Sequence, residues 1–170
     1  GNCDRSEDQF QTKVFVFSDA AFATCPFSLK SQSGMCIYMR GVLVAYASKR
    51  QTLISHSTCQ SEYIAASDCL TWVAEMDKYI ELFLPTTAKS FPVLAPVFVD
   101  NQSAIRVARS DVLTNASKHM KLRHIRVSEE QKRLFFCGTK QQEADAFTKS
   151  LGESIYGMMV EIEESVIYLV

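Results

Sequence analysis

The stretch Val14-Phe15-Val16-Phe17-Ser18-Asp19 is an uninterrupted apolar run that ends in a carboxylate. An apolar run without alternation is typical of a strand that other elements cover on both faces. A second run of this kind, Val97-Phe98-Val99, is followed directly by Asp100. Ligand sites in open α/β sheets lie beyond the carboxyl ends of the strands. If the two strands are parallel neighbours, the sequence places Asp19 and Asp100 in one crevice.

The segments around these two strands predict a mixed α/β chain. Strands are predicted over residues 35–39 and 42–47, joined by the short Arg40-Gly41 link, so the chain opens as a three-stranded meander. The later pattern predicts a short helix over 101–109, a helix over 117–132, a strand over 134–137 and a last helix that opens at a Thr139/Gln142 capping box and carries Asp145. The order βββαβααβα is one sheet with helices on its faces.

A long helix follows the meander. Ser57 and Gln60 fit a capping box, and Pro85 closes the pattern. Apolar residues recur between them at spacings of three and four, at Ala66, Cys69, Val73, Met76, Ile80 and Phe83. Trp72 is near this apolar face and is expected in the core. Glu62 lies on the same face, where a carboxylate is unfavourable unless something binds it.

Length and composition indicate one globular domain. The chain has 170 residues, 47% of them hydrophobic, with six glycines, four prolines and a net charge of −1. The six cysteines form no C-x-x-C pair, which excludes a zinc ribbon, and no apolar run approaches the roughly 20 residues of a membrane helix. We expect a polar tail or linker remnant over residues 1–12 and one domain over 13–170, with a closing helix in its last 17 residues. Its location is expected to be intracellular, away from the membrane.

Four carboxylates stand at strand ends or on a buried face: Asp19, Glu62, Asp100 and Asp145. Converging carboxylates repel one another by several kcal/mol, and a divalent metal is the usual remedy. All-oxygen ligation selects hard cations such as Mg²⁺ or Mn²⁺. A pair of such ions about 4 Å apart can support phosphodiester cleavage. The spacing alone leaves a second interpretation open, since an aspartate at a strand end is often a turn or cap residue.

Six ordered motifs are more specific than the acids themselves. They are Ser18-Asp19-Ala20, Ala47-Ser48-Lys49-Arg50-Gln51, the run from Ser57 to Ala66, Asp100-Asn101-Gln102-Ser103-Ala104-Ile105, Ser117-Lys118-His119-Met120 with Arg123, and Ala144-Asp145-Ala146-Phe147-Thr148-Lys149. Over residues 14–151 the chain resembles the ribonuclease H domain of copia-like LTR retrotransposon polyproteins. The resemblance implies a ribonuclease H-like fold, with a five-stranded mixed sheet whose first three strands are antiparallel, flanked by helices.

The resemblance also implies an activity, endonucleolytic cleavage of the RNA strand of an RNA–DNA hybrid with two Mg²⁺ ions, for which Mn²⁺ can substitute. Asp19 would bridge both ions, Glu62 and Asp100 would complete the ligands of one, and Asp145 would help to hold the other. The same resemblance implies substrate contacts at Ser18, Thr58, Asn101, Gln102, Lys118 and Arg123. It further implies an adjacent reverse transcriptase domain and a cytoplasmic location in virus-like particles, or a nuclear one.

Departures from the family pattern keep a second function open. The first motif of the family is Asp-Ala-Asp-Trp, whereas here Asp19 is followed by Ala20-Ala21-Phe22, and Cys25 and Phe27 replace acidic residues found downstream. All four proposed ligands are retained. The alternative to an enzyme is a catalytically silent, retroelement-derived domain that binds nucleic acid or serves as a scaffold.

Charge is spread unevenly along the chain. Residues 103–133 carry eight basic side chains against three acidic ones. This basic segment could bind phosphates, with Lys49 and Arg50 adding contacts, or it could be a solvated helix face. The sequence does not decide between these two interpretations.

Overall fold

The structure is a computed structural model that describes residues 14–39, 41–83, 95–110 and 118–149. Its five strands are β1 (Val14–Ala21), β2 (Gln32–Met39), β3 (Val42–Arg50), β4 (Val97–Val99) and β5 (Leu134–Phe136). Its three α-helices are α1 (Thr58–Phe83), α2 (Gln102–Ala108) and α3 (Lys118–Glu130). Short 3₁₀ turns cover Gln131–Arg133, Thr139–Gln141 and Glu143–Phe147, and we call the last of these the closing turn.

The strands form one sheet in the order β3-β2-β1-β4-β5. β1 pairs antiparallel with β2, and β2 pairs antiparallel with β3, whereas β1 with β4 and β4 with β5 are parallel. This confirms the predicted mixed five-stranded sheet with an antiparallel opening meander. β1 is therefore the strand at which the antiparallel and the parallel halves of the sheet meet.

Apolar side chains cover both faces of the sheet, as the runs without alternation predict. On one face Val16 and Val97, both 0% exposed, pack with Leu70 and Val73 of α1. On the other face Phe17 belongs to a second buried cluster, whose other members are Cys36, Leu43, Phe98, Cys137, Ala144 and Phe147. Burial of each such side chain contributes about 1.5–3 kcal/mol. The second cluster includes the closing turn, so that turn is part of the core.

The start of α1 confirms the cap predicted at Ser57. Ser57 Oγ accepts a hydrogen bond of 3.1 Å from the Gln60 N–H. The Gln60 Oε1 atom accepts a hydrogen bond of 2.7 Å from the His56 N–H. In a capping box the donor of this reciprocal bond would be the N–H of Ser57, the next residue. Of the described helices, none is long and apolar enough to span a bilayer.

Several predicted bounds differ from the structure. β2 begins at Gln32 and β3 extends to Arg50, because backbone pairing continues through polar residues that carry no hydrophobic signal. The predicted helix carrying Asp145 is wrong, since two 3₁₀ turns occupy that segment. Trp72 is 61% exposed, so its prediction as a core residue is also wrong. The predicted tail over residues 1–12 and the predicted C-terminal helix lie outside the described residues.

Candidate active site

Asp19 and Asp100 extend from the carboxyl ends of two parallel, adjacent strands. β1 and β4 pair with Val16 opposite Val97 and Phe17 opposite Phe98. The same register, continued by two residues, sets Asp19 beside Asp100. Because side chains alternate along a strand, both aspartates lie on the face of Phe17 and Phe98. The crevice expected from the sequence is therefore present.

Glu62 reaches the same place from the second turn of α1. Its side chain is 4% exposed, and its Oε2 atom has no hydrogen-bond partner among the described residues. The backbone N–H of Ala20 acts on both Asp19 and Glu62 and lowers the pKa of each against the effect of burial. One carboxylate oxygen from each of Asp19, Glu62 and Asp100 lies within 4.8 Å of the other two. We call these three residues the carboxylate triad.

Burial and mutual repulsion favour the protonated forms of the triad. Burial raises the pKa of Glu62, and the charges of Asp19 and Asp100 raise it further, to about 9. Burial likewise raises the pKa of Asp19 and of Asp100, and the charge of Asp145 adds to both shifts. A site in which three acids resist ionisation together is one that a bound cation would relieve.

Asp145 lies beside the triad and is not part of it. It stands on the closing turn, and its two carboxylate oxygens lie 2.6 and 2.8 Å from Nζ of Lys149. Its negative charge nevertheless acts on Asp19 and Asp100. Of the four predicted ligands, the structure therefore brings three together and pairs the fourth with a lysine. That ion pair raises the pKa of Lys149, so the lysine keeps its charge.

Three polar side chains that the sequence analysis did not assign to the site support the triad. Thr148 Oγ1 donates to Asp19 Oδ2 at 2.7 Å, and a hydrogen bond from Thr139 lowers the pKa of Asp100 against the effect of burial. Gln142 Nε2 donates to the Ser18 carbonyl at 3.0 Å, which fastens the closing turn to β1. The only sequence signal for Thr148 is its place three residues after Asp145 in the last motif.

The predicted substrate contacts have different positions in the structure. Ser18 is 0% exposed, so its side chain is not presented to a substrate. Asn101 is the N-cap of α2, where its Oδ1 accepts from the Ala104 N–H. Thr58 and Gln102 are both exposed, and Arg123 is paired with Asp68. Lys118 is the first residue of α3, and its side chain is not among those that the structure describes.

Part of the basic segment is used inside the protein. Arg133 is buried between Asp77 and Glu130, with 2.6 Å to a carboxylate oxygen of each. Arg109 donates to the Leu134 carbonyl at 3.0 Å, and Arg123 pairs with Asp68 on α1. These guanidinium groups hold α2 and α3 in place. These three arginines therefore do not belong to a free phosphate-binding face, as one interpretation of residues 103–133 required.

Solved structures with the same architecture identify the fold. LC11-RNase H1, solved in complex with an RNA/DNA hybrid, aligns with a TM-score of 0.53 and 12% identity over 79% of this chain and 93% of that one. The N-terminal RNase H domain of Rv2228c from Mycobacterium tuberculosis aligns with a TM-score of 0.51 and 11% identity over 91% of this chain and 99% of that one. The chain has the ribonuclease H fold.

One curated relative is a retrotransposon polyprotein. The chain is 25% identical over 150 residues to the Retrovirus-related Pol polyprotein from transposon TNT 1-94 of Nicotiana tabacum. The match covers 86% of this chain and 11% of the polyprotein. No protein-family model matches the chain. The solved structures, at 11 and 12% identity, establish the fold. The polyprotein, at 25% identity, is a distant relative.

Proposed function

We propose that the chain is a divalent-metal-dependent ribonuclease H that hydrolyses the RNA strand of RNA–DNA hybrids, derived from a copia-like retrotransposon polyprotein. The carboxylate triad at the end of β1 and β4 carries this proposal. Asp19 and Glu62 are buried and Asp100 is half-buried, and one oxygen of each lies within 4.8 Å of the other two. Among the described residues, no basic side chain forms an ion pair with any of the three. On a ribonuclease H fold, such a cluster is best accounted for by metal binding.

The donor set fits Mg²⁺ or Mn²⁺. All of its ligand atoms are carboxylate oxygens, which hard cations prefer, and Glu62 Oε2 is buried without a partner among the described residues. Asp19, Glu62 and Asp100 would hold one ion, and Asp19 with Asp145 would hold a second. When bound, such ions supply Lewis-acid stabilisation of the phosphate and a water of lowered pKa.

Two threonine side chains orient the aspartates of the triad and partly oppose the rise of their pKa values. Thr148 and Thr139 donate to Asp19 and Asp100, which favours their charged forms. Glu62 has a pKa of about 9 without metal, so it must release a proton when a cation binds. Lys149 neutralises Asp145 and would be displaced from that carboxylate by a second cation.

The proposed substrate and setting extend the same interpretation. The hybrid would lie across the triad, with Gln102 at the exposed start of α2 as a groove contact, and the 2′-hydroxyl would mark the strand to be cut. A reverse transcriptase domain elsewhere in the polyprotein would supply further grip on the hybrid. The proposed location is intracellular, in cytoplasmic virus-like particles or in the nucleus.

A cleavage assay on a fluorescent RNA–DNA hybrid, with Mg²⁺ and then Mn²⁺, tests the proposal. We expect products from the RNA strand only, and a loss of at least about a hundredfold in rate for Asp100→Asn and for Glu62→Gln. Glu75→Gln is the matched control, because Glu75 is an exposed glutamate on the same helix. Equal rates for Glu62→Gln and Glu75→Gln would contradict a role of the triad.

The alternative is a silent domain that binds nucleic acid without cutting it. The acidic residues of the family pattern that are replaced here, by Ala21 in the first motif and by Cys25 and Phe27 downstream, motivate this alternative. A folded wild-type chain that binds the hybrid, and cuts neither alone nor when fused to a reverse transcriptase domain, would establish it. Calorimetric titration with Mg²⁺ adds an independent readout, since a silent domain with an intact triad would still bind the metal.

A further inference from the structure

The loop between β1 and β2, residues 22–30, presents apolar side chains to solvent at the edge of the candidate active site. We call it the rim loop. Phe27 is 98% exposed, Leu29 58% and Phe22 41%. Phe22 follows Asp19 by three residues, about 10 Å at the rise of a strand. The first of the exposed side chains is therefore within about 10 Å of Asp19 along the chain.

Specific hydrogen bonds define the shape of the rim loop. The N–H of Leu29 donates to the Cys25 carbonyl at 2.8 Å, and the N–H of Cys25 donates to the Lys30 carbonyl at 3.2 Å. At its base, the Ala23 N–H donates to Ser31 Oγ, which is hydrogen-bonded to the buried Ser55 hydroxyl at 2.7 Å.

Two residues of the rim loop adopt a backbone conformation that is unfavourable for side chains with a Cβ atom. The φ angles of Ala23 and Leu29 are 50° and 52°. Such residues each cost about 1 kcal/mol or more and persist where the surroundings fix them. These angles and the hydrogen bonds together define the loop conformation in which Phe27 and Leu29 are exposed.

The chain that flanks the rim loop adds only basic side chains beside the acidic triad. Between Asp19 and Glu62 the sequence contains Lys30, Arg40, Lys49 and Arg50 and no acidic residue. Lys49 and Arg50 are exposed at the end of β3, opposite Ser33 and Gln32, where β2 leaves the rim loop. The Gln51 N–H also donates to the Ser31 carbonyl at 2.8 Å, which ties the end of β3 to the base of the loop.

We propose that the rim loop, with Lys49 and Arg50, binds an unpaired stretch of nucleic acid beside the triad. Exposed aromatic rings that stack on bases, next to basic side chains that contact phosphates, are the combination that binds single strands. Paired bases hide their faces, so stacking on Phe27 would favour a single-stranded extension over a blunt duplex end. A protein partner would also suit the apolar side chains, but the exposed Lys49 and Arg50 beside the loop favour a polyanion. The identity of the ligand as nucleic acid rests on the proposed function.

Fluorescence anisotropy in EDTA tests this inference without any dependence on cleavage. The probes are a short blunt RNA–DNA hybrid and the same hybrid with a single-stranded DNA extension. We expect the extension to tighten binding to the wild-type chain about tenfold and Phe27→Ala to abolish that gain. Trp72→Ala is the matched control, since Trp72 is an exposed aromatic on α1, and it should retain the gain. Lys49→Gln with Arg50→Gln should weaken both probes and reduce the salt dependence.

Equal affinity for the two probes, or the same gain in Phe27→Ala as in the wild type, would overturn the inference. Phe27 is almost fully exposed, so its truncation leaves the core intact, and a melting curve checks this. Cleavage without a preference for the extension would remove this inference alone. Preference without cleavage would remove the nuclease proposal alone. If an attached reverse transcriptase domain covers Phe27, and Phe27→Ala changes the binding of neither probe, the rim loop is a protein interface and the inference is wrong.

Discussion

The Thr148 hydroxyl donates a hydrogen bond of 2.7 Å to Oδ2 of Asp19, and the two residues are 129 positions apart in the chain. Both side chains are buried, with 4% and 5% of their surface exposed. Burial raises the pKa of Asp19, and this hydrogen bond is the largest influence that lowers it. Thr148 is therefore the residue that most directly favours a charged Asp19.

Replacing the hydroxyl tests this relationship. In Thr148→Val the shape is kept and the donor is lost, so the pKa of Asp19 should rise. A hydrogen bond to a charged group contributes about 1.5–3 kcal/mol, so we expect cleavage to slow at least about tenfold. The acidic limb of the pH–rate profile should move to higher pH. Thr148→Ser, which keeps the donor, should restore both; an unmoved acidic limb in Thr148→Val would contradict the assignment.

Glu62 should make the metal-free protein less stable as the pH rises. Its pKa in the folded state is about 9, above the usual 4.5, so the folded state holds a proton that the unfolded chain releases. The stability that protonated Glu62 contributes is fully present below about pH 4.5 and is lost as the pH rises toward 9.

A neutral side chain at this position should remove that loss. We expect Glu62→Gln in EDTA to be more stable than the wild type at pH 8 by about 1–2 kcal/mol. In a chain of this size each kcal/mol raises Tm by about 2–4 °C. Urea unfolding across this pH range measures the difference. Saturating Mg²⁺ should stabilise the wild type and not the variant. Parallel stability curves for the two proteins would show that Glu62 is ionised without metal.

Gly34 allows the closing turn to approach β2. A Cβ atom at Gly34 would lie 2.6 Å from the Ala144 carbonyl oxygen and 2.7 Å from Thr148 Cγ2. Gly34→Ala should therefore displace the closing turn and cost about 1–3 kcal/mol of stability. Cleavage should fall with it, because Thr148 moves away from Asp19.

A second glycine supplies the control for this prediction. At Gly138 an added Cβ would meet nothing nearer than Gln141 Oε1 at 4.0 Å. Gly138→Ala should leave both the melting temperature and the cleavage rate close to those of the wild type. If Gly34→Ala behaves in the same way, the closing turn does not depend on this close approach.

Lys149 should weaken metal binding at Asp145. Its ammonium group is partly exposed and pairs with a carboxylate that we propose as a ligand. Exposed ion pairs contribute up to about 1 kcal/mol, so Lys149→Gln should bind Mg²⁺ about two- to fivefold more tightly by calorimetric titration. Lys149→Arg keeps the charge and should resemble the wild type. Weaker Mg²⁺ binding in Lys149→Gln would assign the lysine a role in organising the site.

The sequence predicts those parts of the fold that depend on local patterns. The apolar runs before Asp19 and Asp100 predict two buried strands, and the helical spacing around Glu62 predicts its burial. The parts of the fold that the sequence does not predict are those that depend on pairing between distant segments. Nothing local shows that β4 inserts between β1 and β5, or that Trp72 lies on the solvent side of α1, next to Asp68 and Glu75 on the helix surface.

The closing turn shows why the site could be predicted only in part. The segment after β5 contains a Thr139/Gln142 pair that is typical of a helix start, yet it forms two 3₁₀ turns. Packing against Gly34 and the bond from Gln142 to the Ser18 carbonyl decide its conformation. Both contacts join residues far apart in sequence. The roles of Thr148 and Lys149 follow from that docking, so the sequence alone places Asp145 in the site without its partners.

The separation of Asp19 from Thr148 also has a consequence for synthesis. A ribosome makes Asp19, Glu62 and Asp100 well before the closing turn, so the hydroxyl that favours a charged Asp19 is among the last parts of the site to be made. The centre is completed only when residues 139–149 have emerged and docked on β1 and β2. A stop codon or a protease cut before residue 139 would therefore remove Ala144 and Phe147 from the core together with the hydroxyl that acts on Asp19.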